Sequence, residues 1–208
     1  TQCWYIRTQP YNKRDAVFNS DKMIEVFTMS ERQTNGTFSK GNMLSPPFNR
    51  NANEGGPTLT IDNKHLVYTI TKPGKEGDNT DLYTTDFVNG EWTEIRPLGE
   101  KVNDPKYWDS QPSMSSDGKT LYFASDRPGG LGGTDIYITR KGANGEWGAP
   151  ENVGAPINTP GQERSPFIHS DSETLYFSSD GLPGVGGLDI FFVRKETTGK
   201  WKEPVNIG

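Results

Sequence analysis

Along most of the chain, apolar residues come in short runs separated by clusters of Gly, Pro, Asn, Asp and Ser. Runs this short, bounded by turn residues and rich in aromatic and β-branched side chains, predict strands rather than helices. Within them the apolar positions are consecutive, as in Leu121-Tyr122-Phe123, which predicts strands covered on both faces. The stretch from Gln111 to Trp147 reads as a complete unit. Gln111–Ser115 is a predicted first strand, and Ser116-Asp117-Gly118-Lys119 a tight turn. Thr120–Ser125 is the second strand, the loop Arg127 to Gly133 is Gly-rich, and Thr134–Arg140 is the third. Asn144-Gly145 then closes a hairpin and Trp147 opens a fourth strand. Asn-Gly suits a type I′ turn, where both central residues need positive φ. The same turn is expected at Asn35-Gly36 and Asn89-Gly90, with Thr198-Gly199 a weaker version.

This unit repeats. Leu121-Tyr122-Phe123-Ala124-Ser125 returns as Leu175-Tyr176-Phe177-Ser178-Ser179 and, more weakly, as Leu66-Val67-Tyr68-Thr69-Ile70. Asp109-Ser110-Gln111-Pro112 is answered by Glu163-Arg164-Ser165-Pro166 and by Glu54-Gly55-Gly56-Pro57. Asp81, Asp135 and Asp189 lie 54 residues apart, and Trp92, Trp147 and Trp201 keep nearly the same step. A four-stranded unit of this length, repeated and buried on both faces, predicts an all-β fold, a β-propeller of four-stranded antiparallel blades. A solenoid has shorter coils, and separate sandwiches would not share one period. The expected boundaries are a partial blade 1 at 1–53, blade 2 at 54–108, blade 3 at 109–162 and blade 4 at 163–208. In the first, Trp4-Tyr5-Ile6-Arg7-Thr8 reads as a second strand and Glu25-Val26-Phe27 as a third. No first strand precedes them, so the sequence leads one to expect a segment of a longer protein.

Composition narrows the partners. With 22 Lys+Arg against 27 Asp+Glu the net charge is −5, which argues against a nucleic-acid surface. No apolar run is long enough for a membrane-spanning helix, and no signal-peptide pattern is expected at the start. Cys3 is the one cysteine, which excludes an internal disulfide and a cysteine-cluster metal site. Thr1-Gln2 before it does not read as a lipidation signal. The 24 Gly and 15 Pro, about 19% of the chain, fit a turn-rich β protein.

The pattern Ser-x-Pro-x-x-Ser-x-Asp-Gly-Lys-x-Leu-Tyr-Phe-x-Ser-Asp-Arg, standing at Ser110 to Arg127, resembles the WD40-like repeat of TolB-type propellers. Two further stretches, Gly129-Gly130-Leu131-Gly132-Gly133-Thr134-Asp135-Ile136-Tyr137 and Trp147 to Asn158, resemble its subgroup in Bacteroidota cell-envelope proteins. There a propeller commonly sits beside OmpA-like peptidoglycan-binding domains, and one member belongs to the type IX secretion machinery. The resemblance covers residues 54–208 well and 1–53 poorly. It implies a periplasmic, outer-membrane-associated module that binds envelope or outer-membrane proteins. Peptidoglycan would be reached only through a domain outside this chain. Thr60-Ile61-Asp62-Asn63 and Ser170-Asp171-Ser172-Glu173 depart from the pattern by lacking the turn glycine.

Most motifs have a plain structural reading. The Gly-rich loops at 129–133 and 183–187 are one residue out of step for a calcium repeat, and no helix follows to make a phosphate loop. Asp62, Asp117 and Asp171 fall where an aspartate closes its own turn. The repeated tryptophans, with Phe38 in the same slot, suit packing between blades. His65 aligns with Thr120 and His169 with Ser115, so the two histidines do not form a site, and no Gly-x-Ser-x-Gly elbow occurs. No catalytic, metal or cofactor residues are therefore expected. Residues outside the repeat are better candidates. Tyr107 and Trp108, on the loop between blades, and Arg127, which opens the Gly-rich loop, are the expected partner-binding residues; Trp4 is a further unrepeated aromatic. The expected function is a non-catalytic binding and scaffolding module. The alternative is a carbohydrate- or peptide-handling enzyme, or a glycan-binding propeller, with its site at the channel mouth.

Overall fold

A computed structural model describes residues 2–10, 23–50, 52–73 and 78–208; for 2–10 it gives mainly backbone pairing, and the Cys3 and Trp4 side chains lie outside the described residues. Among the described residues every regular element is a strand. β1 (Gln2–Pro10), β2 (Met23–Glu31) and β3 (Asn42–Met43) form a first antiparallel sheet. The second holds β4 (Asn53–Leu59), β5 (His65–Lys72) and β6 (Asn79–Val88), with β7 (Glu91–Trp92) and β8 (Arg96–Pro97) both on β6. β9 (Asp109–Met114), β10 (Thr120–Ser125), β11 (Asp135–Arg140) and β12 (Glu151–Asn152) make the third in simple meander order. β13 (Glu163–Ile168), β14 (Thr174–Ser179), β15 (Asp189–Arg194) and β16 (Val205–Asn206) repeat that order.

The consecutive apolar positions are explained by apolar layers on both sides of the middle sheets. Leu66 and Tyr68, Leu121 and Phe123, and Leu175 and Phe177 are all buried, each pair facing the preceding sheet. The residue between them points the other way. Tyr122 packs in the layer against sheet four with Ile136, Ile138 and Phe191. The tryptophan slot is as expected: Trp147 is buried in the layer between sheets two and three, and Trp92 and Trp201 are partly buried against their own layers. Phe38 holds the equivalent bridge, to Arg32, but is 48% exposed.

The hairpins differ from expectation at all but one site. Asn89 and Gly90 both have positive φ, 52° and 89°, as a type I′ turn requires. At Gly36, Gly145 and Gly199 only the glycine is left-handed. These loops are one residue longer in effect: Gly145 N–H donates to Gly142 C=O, and Gly142 N–H to Glu146 C=O. The Asn then sits in an ordinary turn position, and its Oδ1 accepts from Glu146 N–H at 3.1 Å.

Each inner strand begins with a buried acid that pins the loop leading into it. Glu54 accepts from Arg50 N–H at 3.2 Å, Asp109 from Asp104 N–H at 3.0 Å, and Glu163 from Thr159 N–H at 2.9 Å. Burial pushes all three carboxyls above their ordinary range.

Candidate functional site

β4, β9 and β13 are the terminal strands of their sheets and lie side by side, so their free edges share one face. Each is bulged at the same repeat position. The ladder slips between Gly55 and Thr58, between Ser110 and Ser113, and between Arg164 and Phe167. The extra residues are Gly56-Pro57, Gln111-Pro112 and Ser165-Pro166. Proline fits there because a bulge on an edge strand asks for no ladder donor. The residue before it is left-handed every time, with φ of 55° at Gly56, 55° at Gln111 and 51° at Ser165. For Gln and Ser that conformation is strained, and it persists because the neighbours fix it. Gln111 Oε1 accepts from Ser165 N–H at 2.8 Å, joining one bulge to the next.

Two more hydrogen bonds tie the inner strands together. Thr58 Oγ1 accepts from Met114 N–H at 3.0 Å, and Ser113 Oγ from Ile168 N–H at 2.9 Å. The third equivalent is Phe167, which has no hydroxyl and stands 57% exposed. With Ile61, 74% exposed, and the three prolines, it lines a mainly apolar groove of about 710 Å³ along the bulges. Gln111, Ser116, Ser165 and Ser170 supply its polar rim. The groove can offer apolar contact plus hydrogen bonds from strand edges, which suits an extended chain segment.

The three expected partner-binding residues are not one cluster. Trp108 leads into β9 at the groove's end and is half-buried; Arg164 of the next sheet lies over its ring at 5.9 Å. Its N–H is held by Asp126 Oδ1 at 2.7 Å. Tyr107 is also half-buried, in the turn closed by its N–H on Asp104 C=O, so the pair is less open than a free loop would leave it. Arg127 faces inward. Its side chain is 13% exposed, donates to buried Asp109 Oδ1 at 2.6 Å and to Val102 C=O at 2.7 Å, and lies over the Phe123 and Tyr137 rings. A guanidinium so committed belongs to the framework. The sequence reading missed the bulge residues, Ile61 and Phe167. A signal for Phe167 was present, since it alone breaks a Thr/Ser repeat position.

The other motifs resolve as local closures. Asp135 accepts from the Leu131 and Gly132 amides of its Gly-rich loop, and Asp189 from those of Val185 and Gly186. Gly130 and Gly184 have no room for a Cβ because these carboxylates press against them. Asp117 Oδ1 accepts from Ser115 Oγ–H and Lys119 N–H, which holds its carboxyl below the usual carboxylate range; Asp62 is bonded likewise. At the outer strands, Arg96 is paired with Asp86, which also meets His65 Nδ1, whereas at the equivalent place in sheet three Arg140 is paired with Glu151 at 2.9 Å. The signs are exchanged between the two sheets.

Solved structures now place the fold. TolB from Acinetobacter baumannii superposes with a TM-score of 0.56 at 15% identity, over 90% of this chain and 41% of that one. The architecture is that of a β-propeller. A TolB-type protein from Agrobacterium tumefaciens matches at 0.50 and 16% identity, over 87% of this chain and 60% of that one. A prolyl endopeptidase matches at 0.52 and 16% identity, over 100% of this chain and 28% of that one. The chain thus spans less than two thirds of the length of each. No protein-family model and no curated protein matches the chain.

Proposed function

We propose that this chain is a non-catalytic, protein-binding propeller segment of the bacterial cell envelope, which takes a partner's extended segment in the groove along β4, β9 and β13. The observation that carries this reading is the groove itself. Its bulges put three prolines, two strained polar residues and the exposed Ile61 and Phe167 on one face. Strain at a repeated place, maintained through hydrogen bonds between blades, is a feature of sites that must stay preorganised. Trp108 and Arg164 extend the contact at the groove's end, with Tyr107 beside them.

The motif resemblance supports the finer placement: periplasmic, outer-membrane associated, and in contact with an envelope or outer-membrane protein of an OmpA-family or type IX secretion assembly. The likeness to TolB folds is consistent with such a location. The test is cross-linking of the native protein in intact envelopes, with capture and mass spectrometry. One protein should be captured at levels that fall at least about tenfold in Ile61→Asp and Phe167→Asp, each removing apolar contact. Undiminished capture by both variants would show that the groove is not the binding face.

A further inference from the structure

Three layers of the molecule are assembled in the same way. Each takes one apolar residue from a sheet's third strand and one beside its outermost strand. Against them the following sheet sets a Leu-x-aromatic pair, a third-strand aromatic and a tryptophan. Between sheets one and two, Phe27 and Leu44 meet Leu66, Tyr68, Tyr83 and Trp92. Between two and three, Leu82 and Leu98 meet Leu121, Phe123, Tyr137 and Trp147. Between three and four, Ile136 and Val153 meet Leu175, Phe177, Phe191 and Trp201. The backbone marks the first two residues as equivalent in each layer. Leu44 N–H donates to Phe27 C=O at 3.0 Å, Leu98 N–H to Leu82 C=O at 2.9 Å, and Val153 N–H to Ile136 C=O at 3.1 Å.

Sheet four presents that half of a layer once more, on the side turned away from sheet three. Ile207 N–H donates to Ile190 C=O at 2.9 Å. Here the two side chains are 53% and 49% exposed, whereas Phe27, Leu82 and Ile136 are wholly buried. Beside them Phe167, Tyr176, Phe192 and Val205 pair across β13 to β16 and so share one side of the sheet, the three rings lying 6.2 and 6.0 Å apart. Tyr176 repeats Tyr122, whose hydroxyl accepts from Lys195 Nζ of the following sheet at 3.3 Å; the Tyr176 hydroxyl has no such donor among the described residues. Nor, among the described residues, does any strand of sheet one reach sheet four.

We propose that this face of sheet four is the docking surface for a further four-stranded sheet of the same repeat, outside residues 1–208. That sheet sets its own Leu-x-aromatic pair, third-strand aromatic and tryptophan against Ile190 and Ile207, and a lysine against the Tyr176 hydroxyl. A second copy of residues 1–208 meeting it through sheet four would set this half of a layer against its own kind, a pairing found in none of the three layers. One departure sharpens the description of the occupant. Thr58 and Ser113 accept from an inner-strand amide of the following sheet, and Phe167, at the same place, cannot. The incoming inner strand therefore docks there by apolar contact, with that amide bonded elsewhere. Phe167 is the one residue shared with the groove, so the surface does not rest on the partner-binding reading.

The test is made with the protein isolated intact from its natural source, beside the 208-residue chain, both carrying Cys3→Ser and Ile190→Cys. N-ethylmaleimide should modify the cysteine freely in the 208-residue chain and at least about 100-fold more slowly in the intact protein, where labelling has to wait for the sheets to open. Val185→Cys, on an exposed loop, should react alike in both. Ile190→Met, a conservative change, then carries photo-methionine into the intact protein for cross-linking and mass spectrometry. The peptide joined to it should be a strand with Leu-x-Phe or Leu-x-Tyr from outside residues 1–208. Equal labelling of Ile190→Cys in the two proteins, or the absence of any cross-link, overturns the proposal. So does a cross-link to residues 1–208 of a second copy, to a different protein, or to a segment without that pattern.

Discussion

In blade 3 the buried Asp109 carboxylate meets the Arg127 guanidinium, while in blade 2 the same position holds Glu54, whose Oε1 takes the Arg50 amide and whose Oε2 has no partner among the described residues. The arginine's counterpart in blade 2 is Lys72. It is exposed and donates instead to the Tyr83 hydroxyl at 2.7 Å. Tyr68, beside Glu54, likewise buries a hydroxyl with no partner, and burial raises both groups above their ordinary values. In blade 4 a third solution appears: Glu163 is served by the hydroxyls of Ser179 and Thr159, and Thr159 occupies the space that a side chain at Gly181 would need. A repeat preserves where a polar group is placed. How that group is satisfied is settled anew in each copy, and blade 2 is the copy in which it is settled least.

The sharpest way to break this contrast is to remove the cation from each blade. Arg127→Met leaves the buried Asp109 carboxylate without its cation and should cost about 3–5 kcal/mol in denaturant melts. Lys72→Met removes an exposed contact and should cost less than about 1 kcal/mol. Equal losses would mean that the two blades do not differ as described. A similar pair probes the aromatic slot. Trp147→Ala should cost about 3–5 kcal/mol, against less than about 1 kcal/mol for the half-exposed Phe38→Ala.

The smallest effect is expected at Glu54, and it depends on pH. A carboxyl whose pKa is raised on folding favours the folded state fully below its unfolded value of 4.5, and that contribution is lost as pH rises through the folded value. Glu54→Gln keeps the bond to the Arg50 amide and removes the charge. It should match the wild type near pH 4 and melt a degree or two higher at about pH 7, a gain of ~0.5 kcal/mol. A variant that loses ground as pH rises would reveal a cation facing Glu54.

Much of this was legible in the sequence, for a physical reason. Strand burial on both faces dictates consecutive apolar residues, and an aspartate in a tight turn bonds its own backbone, so the strands and the Asp62, Asp117 and Asp171 turns could be read locally. The bulges could not. Gly56, Gln111 and Ser165 share a conformation without sharing chemistry, because it is imposed by the bulge they sit in and by neighbours a whole repeat away. The inward turn of Arg127 was hidden for the same reason, since Asp109 lies 18 residues off and only the closed sheet brings them together.

The exchanged ion pairs of the outer strands bear on how such a chain reaches its fold. Neighbouring copies are similar enough that β12 could settle on β6, or β8 on β11, during folding, the misassembly to which repeated sequences are prone. The first error would set Glu151 against Asp86, and the second Arg96 against Arg140. Each swaps an attraction for a repulsion, a difference of about 1 kcal/mol per contact. That is small beside the stability of a blade, but it falls on strands of two residues each, where little else discriminates. The two pairs thus work as a lock and its reversed twin, each favouring the outer strand of its own sheet over that of its neighbour.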